Sequence, residues 1–183
     1  MKSYGNHLDE AITHREIARR TNVGILEIGV LNGDTSAIFC EYAPSHVPII
    51  GIDPIIPDSM NPDLLGSLNS IISKTRQRNN YTFYQEYSYN VLPYLLNTNQ
   101  HFDYIFIDGD HKYSAVREDF MLSHDLLVNG GILAIHDSTA TRGGPMHWPG
   151  PSRLADEILS KWNESYEHLA SPYCMTVFRK IKD

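Results

Sequence analysis

The chain has few of the features that would place it outside a reducing, aqueous setting. It has only two cysteines in 183 residues, Cys40 and Cys174. Two thiols cannot build a disulfide framework, so both are read as free. Residues 1–20 are polar and charged with no apolar core segment, so no secretory leader is expected there. No apolar run is long enough to span a bilayer. Positive charge is also scarce: 15 lysines and arginines stand against 22 acids, for a formal net charge of -7. No general basic field draws nucleic acid or an anionic membrane. Internal repeats, low-complexity tracts and interdomain linkers are absent. What remains is the expectation of a cytoplasmic protein whose residues 1–183 form one domain, long enough for a full core at 42% hydrophobic residues.

Three short apolar runs stand out. Residues 25–33 read Ile-Leu-Glu-Ile-Gly-Val-Leu-Asn-Gly, 49–53 read Ile-Ile-Gly-Ile-Asp, and 104–111 read Tyr-Ile-Phe-Ile-Asp-Gly-Asp-His. Each is rich in β-formers and ends in glycine or a carboxylate. Buried parallel strands deliver polar groups in this way to the carboxyl edge of a sheet, where open α/β folds bind ligands.

Periodicity fills in the rest. Strands are expected at 24–28, 49–53, 81–84, 104–108 and 132–136. A polar helix over 7–21 offers Leu8, Ile12 and Ile17 to the interior. A second helix, capped by Asp34 or Thr35, stops at Pro44. Leu64, Leu65, Leu68, Ile71 and Ile72 give 63–78 a helical apolar stripe. A short helix follows at 91–96. Helix 114–128 is expected to bury Val116, Phe120 and Leu127 and to end in a left-handed glycine cap at Asn129-Gly130-Gly131. Ser152 can cap a last helix over 153–162. Residues 166–169 and 175–179 read as a hairpin. The fold class is therefore α/β: a Rossmann-like doubly wound sheet, mostly parallel and seven-stranded, with an antiparallel C-terminal hairpin strand at its edge.

Gly29 and Gly33 flank the turn from the first strand into a helix. Glycine there admits close approach of a ligand, and the helix N-terminus favours an anionic group. The spacing is Glu-x-Gly-x-x-x-Gly. Leu31 occupies the middle-glycine position of a dinucleotide fingerprint, which disfavours a nicotinamide or flavin dinucleotide. A tight turn with no ligand is the plainer alternative. Asp53 follows Gly33 by 20 residues. An acid there can accept from both hydroxyls of a ribose, although Asp53-Pro54 is also a turn signal. Glu27 adds a carboxylate suited to an ammonium group. S-adenosylmethionine offers an amine, a carboxylate and a ribose together.

On these residues the chain resembles the class I S-adenosylmethionine-dependent methyltransferases. It is most similar to the small metal-dependent O-methyltransferases, among them the sugar O-methyltransferases and the cephalosporin hydroxylase-like group. The similarity covers about residues 23–137. It implies Glu27, Gly29 and Gly33 around the methionine part and Asp53 on the ribose. Ser88, with Glu86 or Tyr87, falls near the adenine, and Asp108 lies on the cofactor side of the site.

Asp108, Asp110 and His111 close the fourth strand, and His136 and Asp137 close the fifth. Adjacent strand ends bring these five into one site's width. Carboxylates suit Mg²⁺, whereas histidine suits manganese, iron or zinc. The resemblance implies that Asp108, His136 and Asp137 bind a divalent metal, Mg²⁺ or Mn²⁺, that holds a substrate hydroxyl near the methyl donor. Related enzymes carry two acids or Asp-Asn where this chain has His136-Asp137, which turns the expectation toward Mn²⁺ or leaves His136 as a hydrogen-bond donor with no metal. The resemblance also implies Asp110 as catalytic base, with His111 second. Turn capping by Asp110 is the alternative.

The loop over 138–151 holds Met146, His147 and Trp148. It is expected to lie over the site, with Trp148 stacking on a sugar or aromatic ring or else packing on the edge. Arg15, Arg19 and Arg20 read as a solvated helix face. The expected activity is S-adenosylmethionine-dependent O-methylation of a small hydroxylated molecule such as a sugar or glycoside. The expected partner is that small molecule, with no nucleic acid and no membrane. A homo-oligomer would complete a pocket that lacks a long N-terminal cap. A cofactor-binding module without turnover and a metal-dependent hydrolase are the competing readings.

Overall fold

The computed structural model describes residues 8–56, 63–142 and 148–183. Met146 and His147 lie outside them. Among the described residues, seven strands form a single sheet in the order β3-β2-β1-β4-β5-β7-β6. They are β1 (Ile25–Ile28), β2 (Ile49–Ile52), β3 (Tyr81–Tyr84), β4 (Phe102–Ile107), β5 (Leu127–Ile135), β6 (Tyr166–Ala170) and β7 (Thr176–Lys180). The first five are parallel neighbours, and β7 runs antiparallel to both β5 and β6. The antiparallel strand is therefore not the edge strand expected from the sequence. It is inserted between β5 and β6, and β6 takes the edge.

Among the described residues, six α-helices cover both faces: α1 (Leu8–Ala18), α2 (Asp34–Tyr42), α3 (Leu64–Thr75), α4 (Ser88–Asn97), α5 (Tyr113–Leu126) and α6 (Pro149–Lys161). Alternation along each strand divides the core. Leu26, Ile28, Ile105 and Ile107 face α4, α5 and α6, where they meet Val91, Leu95, Val116, Phe120, Leu154 and Ile158. Ile25, Tyr104, Phe106 and Ala134 face the other way, toward Ala18 and Phe39 from α1 and α2. Each side chain of the Phe or Ile class buried here contributes about 1.5–3 kcal/mol. Among the described residues no helix is long and apolar enough to cross a membrane.

Several expectations are corrected. The first helix turns Leu8 and Ile12 outward, while Ile17 packs partly buried against the core as expected. Leu8 is 56% exposed and Ile12 39%, while Glu10, His14 and Ala18 are buried. The sheet provides the reason, because Tyr104 reaches up to hydrogen-bond His14 Nδ1 at 2.7 Å. On α3, Leu65 and Ile72 face solvent, and Leu64, Leu68 and Ile71 alone pack toward Val30 and Ile55. Neither Asp34 nor Thr35 caps α2. Its N-cap is Gly33 in the left-handed region, and Asp34 pairs with Lys74 at 2.8 Å. α4 starts a turn earlier than expected, so Ser88 opens it.

α5 ends at Leu126, and Leu127 already belongs to β5. Gly130 does adopt positive φ (84°), but within an irregularity of β5 where the register to β4 shifts, not as a helix cap. The buried Lys180 ammonium stabilises the end of α5 instead, donating to the carbonyls of His124 (2.8 Å) and Leu127 (3.0 Å). α6 starts at Pro149, a position that suits proline's fixed φ and missing N–H. Ser152 therefore lies inside its first turn and does not cap it. Arg15 and Arg19 do not simply face solvent, since both lie over the Tyr42 ring.

Candidate functional site

The sheet reverses direction of winding at β1, which pairs with β2 on one side and β4 on the other. Ligands of open α/β sheets bind beyond the carboxyl ends of the strands at such a switch point. Ile28 pairs with Ile52 and with Ile107, and Ile107 pairs with Ile135. The next residues, Gly29, Asp53, Asp108 and His136, therefore stand in one row. Each is held there by its own amide: Gly29 to Ile52 O at 2.8 Å, Asp53 to Tyr84 O at 3.1 Å, Asp108 to Ile28 O at 2.7 Å and His136 to Ile107 O at 3.0 Å.

Asp53 organises the glycine loop. Its Oδ2 accepts the amides of Val30 and Leu31, both at 2.8 Å, and its Oδ1 accepts that of Ile55 at 2.7 Å. A carboxylate offers about four lone-pair positions, so one is left for a ligand hydroxyl. For Asp53 to accept from both hydroxyls of a ribose, as expected from the sequence, one of these amide bonds would have to give way. Leu31 holds φ at 52°, the left-handed conformation usually left to glycine. The Asp53 bond to its amide maintains that conformation without the missing glycine. The loop is further pinned to α3, where Ser67 donates to the Asn32 side chain and Ser70 and Lys74 donate to its carbonyl.

Glu27 lies beneath this loop and not at its mouth. It is 1% exposed, and the Ser36 hydroxyl donates to it while also contacting the Tyr81 hydroxyl. Burial pushes its pKa up to about 8, against the opposing bond from Ser36. It is mostly uncharged at neutral pH, and an ammonium would have to replace its proton. Ser88, at the start of α4, donates to Asp119 Oδ1 at 2.5 Å. Burial raises Asp119 to about 6, with Ser88 acting the other way. Asp119 itself lies under the Asp108-Gly109 turn: a Cβ on Gly109 would stand 3.5 Å from its Oδ2. Glu86 accepts the Tyr87 amide at 2.7 Å, and Tyr87 precedes α4 as its N-cap.

Four side chains converge at the other half of the row. His136 Nδ1 is 3.0 Å from Asp108 Oδ1 and 3.7 Å from Asp137 Oδ2. His111 Nε2 is 3.2 Å from Asp137 Oδ2 and 3.8 Å from Asp108 Oδ1. These are ion-pair distances, yet neither nitrogen has a hydrogen bond of proper direction, and both are buried. The contacts are electrostatic. Asp108 and Asp137 push His111 up to about 9. Burial opposes charge on His136, but Asp108, Cys174 and Glu10 outweigh it and hold its pKa far above the ordinary imidazole value. Burial likewise opposes charge on Asp108, and His111 and His136 overcome it to keep the carboxyl below its usual range. Asp137 carries φ of 50°, a strained position at the end of β5.

Asp110 does not join this group. Its Oδ1 accepts the Lys112 amide at 2.9 Å, its Oδ2 faces the Lys112 ammonium at 3.7 Å, and its side chain is 53% exposed. That is the turn-capping arrangement. Trp148 stacks on His111, with ring centroids 5.1 Å apart at 16°. It packs on the site rather than standing open above it.

Two participants escaped the sequence reading. Asp108 and His136 share the sheet face of Phe106 and Ala134, which is the face α1 covers. Glu10 descends there from α1, with Oε1 3.6 Å from His136 Nε2. Cys174, in the turn before β7, places Sγ 3.2 Å from the same nitrogen. The spacing of Glu10, His14 and Ala18 at every fourth position was the available signal.

Residues 26–138 match the family described as "Methyltransferase domain". An uncharacterized protein of Acanthamoeba polyphaga mimivirus is 26% identical over 135 residues, which are 73% of this chain and 59% of that protein. The chain thus spans about three fifths of that relative's length. Among solved structures, the O-methyltransferase TomG of Streptomyces achromogenes, involved in tomaymycin synthesis and solved in complex with SAM, superposes with a TM-score of 0.69 at 16% identity, covering 94% of this chain and 80% of that one. CalS11, a TDP-rhamnose 3'-O-methyltransferase of calicheamicin biosynthesis, gives 0.71 at 15% identity, covering 98% of this chain and 80% of that one. Likeness at this identity is likeness of fold. The matched family spans the glycine loop, Asp53 and the Asp108–Asp137 cluster, and the chain belongs to the methyltransferase domain family.

Proposed function

We propose that the chain transfers the methyl group of S-adenosylmethionine to a hydroxyl oxygen of a small molecule, a sugar or glycoside, with a divalent cation at the Asp108–Asp137 cluster. The observation that carries this reading is the single row of Gly29, Asp53, Asp108 and His136 at the switch point, cofactor-type groups at one end and a His/Asp cluster at the other. The fold shared with TomG and CalS11 supports the cofactor and the oxygen acceptor.

In this reading the loop from Gly29 to Gly33 borders the methionine part, and Asp53 accepts one ribose hydroxyl. Ser88 borders the adenine. His136 Nδ1, buried without a hydrogen-bond partner and set beside two carboxylates, makes with them a nitrogen and oxygen donor set that fits a cation such as Mn²⁺. Asp108, Asp137 and His136 Nδ1 would hold it, and bound there it would lower the pKa of a hydroxyl. The hydroxyl oxygen attacks the methyl carbon, the carbon–sulfur bond breaks with its pair going to sulfur, and the hydroxyl proton passes to a base. His111 Nε2 is the better placed base, since Asp110 is occupied by Lys112. The carboxylates that keep His111 protonated are the ones a bound cation would engage, which would leave the imidazole free to accept. Positioning supplies much of the remaining rate.

Calorimetry with S-adenosylmethionine tests the cofactor half. In Asp53→Ala its affinity is expected to fall about 10-fold or more, because a charge-assisted hydrogen bond and the support of the loop are both lost. Wild-type affinity in that variant removes the ribose assignment. Formation of S-adenosylhomocysteine over a panel of sugars and glycosides, with and without chelator, tests the rest. Full turnover in chelator removes the cation. Cofactor binding with no turnover on any hydroxyl favours a binding module.

A further inference from the structure

We propose that Glu10 and Cys174 are positioning residues that fix the His136 ring with Nδ1 turned into the Asp108–Asp137 cluster, and so set that cluster's affinity for a divalent cation. The proposal rests on the reading that the cluster takes a cation.

The three groups come from distant parts of the chain and meet behind the site. Glu10 is 5% exposed and Cys174 2%. The Cys174 thiol donates to Glu10 Oε1 at 2.9 Å, and the Cys174 amide reaches the same oxygen at 3.3 Å. A thiol has one proton. With that proton on the carboxylate side, the sulfur can only accept from His136 Nε2, 3.2 Å away. Nε2 is therefore the nitrogen that keeps its hydrogen, and Nδ1 is the one that can give its electron pair to a cation.

The framework around the group is firm. The Ser138 amide donates to the Cys174 carbonyl at 2.8 Å, tying the turn before β7 to the end of β5. Phe106 stands edge-on to the imidazole with centroids 6.1 Å apart. On the far side of the ring, Nδ1 is buried without a hydrogen-bond partner, 3.0 Å from Asp108 Oδ1. Histidine ligands of metals commonly donate their second ring N–H to a fixed acceptor, and loss of that partner costs 10–100-fold in metal affinity. Here the acceptor is a thiol, itself aimed by a carboxylate.

Glu10, His136 and Cys174 also bring one donor atom each within 4.8 Å of one another, a spacing compatible with a cation bound directly among them. The separation of 2.9 Å between sulfur and oxygen argues for the hydrogen bond, being shorter than the roughly 3.5 Å that two ligands of a tetrahedral zinc keep at ordinary bond lengths.

The test is Mn²⁺ affinity of the full chain by calorimetry, for wild type, Glu10→Gln, Cys174→Ala and Cys174→Ser. Glu10→Gln and Cys174→Ala are expected to bind Mn²⁺ about 10–100-fold more weakly. Cys174→Ser is expected to restore binding to within a few-fold, since a hydroxyl can accept from Nε2 and donate to Glu10. A role in apolar packing alone would not be rescued by serine, which restores the hydrogen bonds and not the apolar contact of sulfur. Affinity for S-adenosylmethionine and the melting temperature report folding, and the Ala/Ser contrast stands if Glu10→Gln fails to fold. Unchanged Mn²⁺ affinity in both weakened variants overturns the proposal alone. No Mn²⁺ binding by wild type overturns the cation reading and this proposal with it. A thiolate-to-cobalt charge-transfer band in the Co²⁺ complex, absent in Cys174→Ser, makes Cys174 a direct ligand and overturns the positioning role.

Discussion

Alanine at Gly29 is expected to destabilise the chain by about 4 kcal/mol or more, at the far end of what single substitutions do. Gly29 has φ of 90°, where a side chain is strained by itself. A Cβ there would stand 2.0 Å from the Asp108 carbonyl oxygen, 2.4 Å from its carbon and 2.8 Å from the Gly109 nitrogen. All three are backbone atoms of the adjacent strand end, so no rotamer change relieves the overlap. The Gly29 and Asp108 amides are both bonded to β-strand carbonyls, which prevents either from retreating alone. The glycine is therefore required by the meeting of β1 and β4 before any ligand arrives. Urea unfolding measures the effect, and a loss under about 1 kcal/mol would show that the two strand ends do not approach as described. Surviving folded protein should also lose the geometry of Asp108, because the clash pushes on that residue.

Asp108→Ala is expected to act differently, removing chemistry while leaving the fold. The carboxylate shares with Asp137 the contact to both His111 and His136, and it follows Ile107 directly out of the sheet, next to Gly29. Without it the cluster keeps a single carboxylate, Asp137, against two imidazoles. Methyl transfer should fall at least about 100-fold, because even an outer partner of a metal site is worth 10–100-fold. Mn²⁺ affinity should fall in parallel, with cofactor affinity within a few-fold of wild type. Asp108→Asn separates charge from shape: its carbonyl still occupies the position, so an equal loss in both variants assigns the effect to the charge. Turnover at the wild-type rate in Asp108→Ala would remove this residue from the reaction.

The strands were legible because buried parallel strands leave an unmistakable trace of β-branched residues. The polar residue after each strand was legible for the same reason, and those residues are the row that builds the site. What the local sequence could not carry was the orientation of α1. Its apolar residues do not form a stripe, and the sheet offers polar partners, Tyr104 and Cys174, that draw His14 and Glu10 inward. No local rule places a buried carboxylate beside a thiol 164 residues away. The turn at Asn129-Gly130-Gly131 was read correctly as a left-handed glycine and wrongly as a helix end, because the helix stops where Lys180 arrives from β7. Asp53 was recognised by position, but its structural work on the Val30 and Leu31 amides was hidden. That work is visible only once β1 and β2 are seen to lie side by side.

The stacking of Trp148 on His111 has an optical consequence. The chain has two tryptophans. Trp162 packs edge-on against Phe120, while Trp148 is 45% exposed with its indole face on an imidazole whose pKa is raised to about 9. A protonated imidazole in face contact quenches indole emission, so at neutral pH the resting chain should be dim at Trp148. A cation that engages Asp108 and Asp137 takes away the charge that holds the proton on His111, and the emission should brighten on Mg²⁺ addition, Mn²⁺ being itself a quencher. No brightening, or the same change in Trp148→Phe, would show that the stack does not report on the cluster. Trp148 thus gives the His/Asp cluster an optical readout of the protonation of His111.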